Sequence, residues 1–161
     1  MKYIFILIHL FFLNNIYSQW EYVFNKSEKK IEAVGKVIFN ETYKDSLILK
    51  LSKSRDLELS FSIEGDLFKE KEIYYVVLDI SERKFKASKS KVEAGKYEIY
   101  EIKDMVNSER FELEDFLKIF KMGEYLVLTI RNNLKVIQGV NKLNGSSGAI
   151  NRVIANRFPK P

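Results

Sequence analysis

The chain has 161 residues, with 27 Lys and Arg against 22 Asp and Glu, one His and no Cys, for a formal charge of +5. The missing cysteines exclude disulfides, thiol nucleophiles and thiolate metal sites. Aromatic residues at 14% with only 7 Gly and 2 Pro describe a folded body rather than a disordered one.

The opening "MKYIFILIHLFFLNNIYSQW" places Lys2 before an apolar run from Tyr3 to Leu13, then a polar stretch ending in the small Ser18. That order predicts a secretory signal peptide at residues 1–18, cleaved after Ser18. An 11-residue run is short of the roughly 20 that a spanning helix needs, so no transmembrane anchor is expected after cleavage. Cleavage removes Lys2 and also His9, the only histidine. Residues 19–161 then form a single β-rich domain, exported to the periplasm or secreted. Without His or Cys they lack the usual zinc, haem and Ser-His catalytic sets. No enzymatic activity and no cofactor are expected.

Trp20, Tyr22 and Phe24 alternate as a first strand would, packing rings inward or presenting an aromatic ledge. In "KKIEAVGKVIF", Ile31, Ala33, Gly35, Val37 and Phe39 share one face. "SLILKLS" and "LELSFSI" alternate around the polar "KSRD", predicting a hairpin. "IYYVVLDI" reads as a central strand, and "KFKASKS" after it completes a second hairpin. "YEIYEIK" also alternates, but either of its faces could be the buried one.

The period changes at "FELEDFLKIFKMG", where Leu113, Phe116, Leu117 and Phe120 make the stripe of an amphipathic helix. Early acids and late lysines suit its dipole, and Gly123 is a natural stop. "YLVLTIR" and "LKVIQGV" flank Asn132 and Asn133, which tolerate the positive angles of a tight turn. "GAINRVIANRF" is a short closing helix before a "PKP" tail. The expected architecture is an antiparallel β-sandwich or curved sheet, with one amphipathic helix between late strands and a short C-terminal helix.

An early Trp, "IEAVGKV", "LILKLS", "LELSFSI", "YVVLDI", "FLKIFKMGEYLVLTI" and the ending "LNGSSGAINRV" follow in that order. This layout resembles small exported bacterial β-sandwich proteins of the invasion-associated locus B and type VI secretion-accessory (VasI-like) kind. The resemblance implies an exported sandwich with an accessory or binding role and supplies no site. The chain departs from the pattern in having no cysteine, and in carrying Val77 where those proteins have an Arg two residues before the Asp at 79.

Three groups of residues invite a functional reading. "LNGSSGAINRV" offers Ser146, Ser147 and Arg152 as an anion site at a helix start, with Asn144 or Ser146 as a plain helix cap the structural alternative. Neither serine has a histidine to act as base. "ERKFKASKSK" carries Arg83, Lys84, Lys86, Lys89 and Lys91, which suit either an edge strand guarded by lysines or a contact for an acidic partner. That partner would be a protein or an acidic envelope component, a lipid head group or glycan; nucleic acid is not expected. The carboxylates Glu112, Glu114 and Asp115 fit a helix start, and Glu64 and Asp66 fit a turn without calcium-loop spacing. The sequence therefore predicts a non-enzymatic binding protein. A carrier of a small apolar ligand or lipid, held between the sheets, is the alternative.

Overall fold

The computed structural model describes residues 20–39, 46–56 and 58–155. The leader expected at residues 1–18 and the "PKP" tail lie outside the described residues. Among the described residues, ten strands and two helices follow one another. They are β1 (Trp20–Asn25), β2 (Lys30–Phe39), β3 (Leu47–Lys53), β4 (Leu59–Glu64), β5 (Tyr75–Ile80), β6 (Arg83–Glu93), β7 (Lys96–Asp104), β8 (Arg110–Phe111), α1 (Leu113–Met122), β9 (Tyr125–Arg131), β10 (Val136–Lys142) and α2 (Ser146–Ala155).

The strands run β1–β2–β10–β9–β5–β6–β7–β4–β3, and β3 pairs again with β2. That last pairing corrects the expected sandwich. Ile31–Val37 of β2 are in register with Leu47–Lys53 of β3, joining what would have been two free edges. Eight strands, β2 to β7 with β9 and β10, thus close into an antiparallel barrel. Beside it, β1 lies along the first half of β2 and β8 along the end of β7.

Closure follows from the length of β2, whose other edge serves two partners in turn. Lys30–Gly35 pair with β1, while Ile38 and Phe39 pair with Val140 and Gly139 of β10. Glycine is required where the chains approach most closely. A Cβ on Gly35 would stand 2.4 Å from the Trp20 ring, and one on Gly139 would stand 2.6 Å from Phe39 and from Val37. Asn141 joins the partners at this branch. Its Oδ1 accepts from the Trp20 indole N–H at 2.8 Å and its Nδ2 donates to the Lys36 carbonyl at 2.6 Å.

Alternation sends Ile31, Ala33, Leu49, Leu51, Phe61, Ile63, Leu78 and Leu128 inward, all buried. An eight-stranded barrel is just wide enough for side chains to fill. The amphipathic stripe of α1 supplies the filling at one end. Phe116 and Phe120 meet Phe61, Phe85 and Trp20 with ring centroids 5.4–6.1 Å apart. At this end α2 packs on β1, β2 and β3, and Lys53 Nζ donates to the Ile154 carbonyl at 2.7 Å, placing a cation at the helix C-terminus. The opposite end carries the β4–β5, β6–β7 and β9–β10 connections. There Phe68, Tyr74 and Tyr97 form a three-ring cluster, Phe68 edge-on to Tyr74 and tilted against Tyr97.

Three local expectations are adjusted. The buried face of β7 changes parity along the strand, from Tyr97 and Ile99 to Ile102 and Asp104, leaving Tyr100 exposed. The cause is a bulge, because Ser90 pairs with Ile99 while Lys89 pairs with Glu101. Gly123 stops α1 in extended rather than left-handed backbone; a Cβ there would meet Ile80 at 2.5 Å and Leu143 at 2.8 Å. The β9–β10 turn spans four residues, and Asn132 shapes it through its side chain, which accepts from the Leu134 and Lys135 N–H groups.

Asn141→Ala removes the acceptor of the buried Trp20 indole N–H and a donor to the part-buried Lys36 carbonyl. Urea unfolding should show a loss of about 1–3 kcal/mol, the scale of one lost buried hydrogen-bond partner. An unchanged midpoint would remove Asn141 from its joining role.

Candidate functional site

The basic segment is divided between sheet interior and edge. Strand β6 pairs with β5 only over Arg83–Lys86 and with β7 from Phe85 to Glu93, so the edge-strand reading is corrected for Lys84 and Lys86, while the stretch that carries Lys89 and Lys91 is paired with β7 alone. Its five cations also part company. Arg83 turns to the end of the barrel, where its Nε donates to Asp104 Oδ2 at 2.8 Å and its guanidinium lies 5.0 and 5.4 Å from the Phe85 and Phe111 ring centroids. Lys89 pairs with Glu101 at 3.2 Å and Lys91 with Glu93 at 2.6 Å. Lys84 and Lys86 point outward and make no ion pair among the described residues.

The register brings two more cations to Lys86. It sits opposite Lys103 of β7, and Lys103 sits opposite Arg110 of β8. Like charges facing each other across strands repel, so this row costs stability unless an anion covers it. Glu101 offsets the row at one end, 3.5 Å from Arg110. The run from Arg83 to Lys91 conceals this grouping because Lys103 and Arg110 come from other strands. The alternation of "EIKD" around the buried Ile102 was the available signal.

At the start of α2 the three expected anion ligands do not converge. Ser146 is buried and its hydroxyl has no hydrogen-bond partner, so it does not cap the helix. Ser147 and Arg152 are both exposed, five residues apart and therefore about 140° apart around the axis. Gly145, with φ of 83°, makes the turn into the helix. The acids also fall into structural roles. Asp115 pairs with Lys118 at 2.7 Å and Glu64 with Lys50 at 2.6 Å; Glu112, Glu114 and Asp66 are exposed. No cluster of three or more metal-capable side chains occurs among the described residues. Trp20 is buried and Tyr22 packs on the core, while Phe24 remains 40% exposed.

A second surface feature went unread in the sequence. Two shallow recesses of about 330 and 350 Å³ lie between the β4–β5 loop and the β9–β10 turn, both lined by Ile73, Asn132 and Asn133. Their apolar borders arise in connecting turns, where strand periodicity gives no warning.

The molecule is thus a closed, antiparallel β-barrel filled at one end by a helix, with its charge organised on the outer wall. No protein-family model, curated protein or solved structure matches the chain. No helix among the described residues is long and apolar enough to cross a membrane. Outward positions of β2, β3, β4 and β7 carry Glu32, Lys50, Glu64 and Glu98, a wall unsuited to face lipid hydrocarbon.

Asp104 anchors the Arg83 end of the wall. The Val106 N–H at 2.7 Å, the Arg83 guanidinium and the Asn107 N–H hold its carboxyl below the usual aspartate range. As pH falls, the unfolded chain therefore takes up this proton first. The contribution is complete above the ordinary value of about 3.9 and disappears as pH drops through the lower folded value. Asp104→Asn should be less stable than wild type at neutral pH, with the gap closing below about pH 4. A gap constant down to about pH 2 would assign the stability to something other than this charge.

Proposed function

We propose that the protein is an exported, non-enzymatic accessory protein that binds an acidic macromolecule on the outer wall of its barrel. The observation that carries this reading is the lateral row Lys86–Lys103–Arg110, cations opposed in register on three strands, with Lys84 next to it on β6 and opposite Asp79 of β5. An acidic partner would relieve their repulsion. The leader-like residues 1–18, with Lys2 before the apolar run, support export to the periplasm or beyond. The resemblance to invasion-associated locus B and VasI-like proteins favours an accessory role. A surface partner suits the interior better than an enclosed ligand does, because Trp20, Phe61, Phe85, Phe116 and Phe120 occupy one another's space there.

Retention on a sulfated-glycan column is a direct test. Lys86→Gln combined with Lys103→Gln should elute at clearly lower salt and bind on the order of tenfold more weakly, with a shallower salt dependence. Elution identical to wild type would defeat the reading. Both side chains lie on the outer face, so the variant's melting temperature should hold or rise.

A further inference from the structure

We infer that the loop end of the barrel docks on a lipid bilayer bearing anionic head groups. This site is separate from the Lys84–Lys86–Lys103–Arg110 wall and does not depend on it. Ile73, at the close of the β4–β5 loop, is 79% exposed, and Leu134, in the β9–β10 turn, is 87% exposed. The two side chains border the same recess, together with Lys71, Glu72, Asn132 and Asn133. On the other side of Ile73, Tyr75 and Arg131 border the second recess.

The charges around these aliphatic tips are unbalanced in one direction. Lys71 and Arg131 are exposed and neither makes an ion pair among the described residues. The one acid lining the recess, Glu72, keeps its charge but is outnumbered by the two cations and held by neutral donors. Glu72 Oε2 lies 2.8 Å from the Tyr74 hydroxyl and accepts from Asn132 Nδ2 at 3.1 Å. Asn132 also shapes its own turn, so a single side chain fixes the spacing of the two tips. Tyr74 is buried and within 3.0 Å of the Lys69 N–H and the Leu67 carbonyl, which steadies the loop.

Projecting aliphatic groups beside free cations match the layering of a bilayer surface, where the acyl boundary lies just beneath the phosphates. Ile73 and Leu134 enter the acyl boundary, and Lys71 and Arg131 stay at the phosphate level. The amide-lined recess between the tips takes a head group. Tips this exposed reach a flat membrane without rearrangement of the barrel.

Flotation of the full chain with vesicles of phosphatidylcholine plus phosphatidylglycerol tests this. Wild type should float with these vesicles and far less with phosphatidylcholine alone. Ile73→Ser with Leu134→Ser should weaken the association by at least about tenfold. Because both side chains are exposed, its melting temperature and its retention on the sulfated glycan should match wild type. Lys71→Gln with Arg131→Gln should lose the preference for phosphatidylglycerol. Wild type that fails to float overturns the inference. So does a serine variant that floats like wild type, or flotation that disappears only with Lys86→Gln and Lys103→Gln.

Discussion

Asn141 occupies the point at which β2 changes partners. Upstream, β2 is covered by β1; downstream, the same edge receives β10, and the two neighbours meet end to end rather than side by side. Such a junction leaves the Trp20 ring N–H in a buried site, where an unpaired group is costly, and the Lys36 carbonyl at a part-buried one. The Asn141 amide answers both needs, accepting from Trp20 and donating to Lys36 while itself fully buried. Gly35 and Gly139 give the close approach that this arrangement demands. With that junction made and β3 on the opposite edge, the sheet has no remaining route but closure.

Closure sets where binding can occur. The inward positions of eight strands converge on a narrow space, and α1 sends Phe116 and Phe120 into it. On the proposed reading, partner contacts fall to the outer wall and the two ends. The wall is not uniform: around β2, β3 and β4 charges alternate in sign, with Lys50 between Glu32 and Glu64. Around β6, β7 and β8 ion pairs such as Lys89–Glu101 flank one row of a single sign, Lys86–Lys103–Arg110. The helix end is tied down by Lys53 and by Lys121, which donates to Asn151, whereas the loop end offers aliphatic tips and cations.

Much of this was legible from periodicity. Alternation in "IEAVGKVIF" and "LILKLS" identified strands whose inward residues are buried, and the 3.6-residue stripe of Phe116, Leu117 and Phe120 identified α1. A sandwich and a barrel share this signature, since period two reports which face is dry and says nothing of which strand sits beside which. The pairing of β2 with β3 is a fact of register. The bulge at Tyr100 was invisible for a similar reason: an extra residue in one strand is defined only against its partner. For the surface sites, the segment Arg83–Lys91 contributed only Lys84 and Lys86 as cations without an ion pair among the described residues, because Asp104 and Glu101 of β7 and Glu93 of β6 itself pair with the rest.

The most direct test of the account is amide hydrogen exchange at the seam between Ile38–Phe39 and Gly139–Val140, the shortest ladder in the closed ring. A closed barrel predicts that the paired amides of this seam are protected nearly as long as those of the β2–β3 ladder. Exchange there as fast as in the β3–β4 turn, with β2–β3 still protected, would describe an open sheet and contradict the closure on which the outer-surface sites depend.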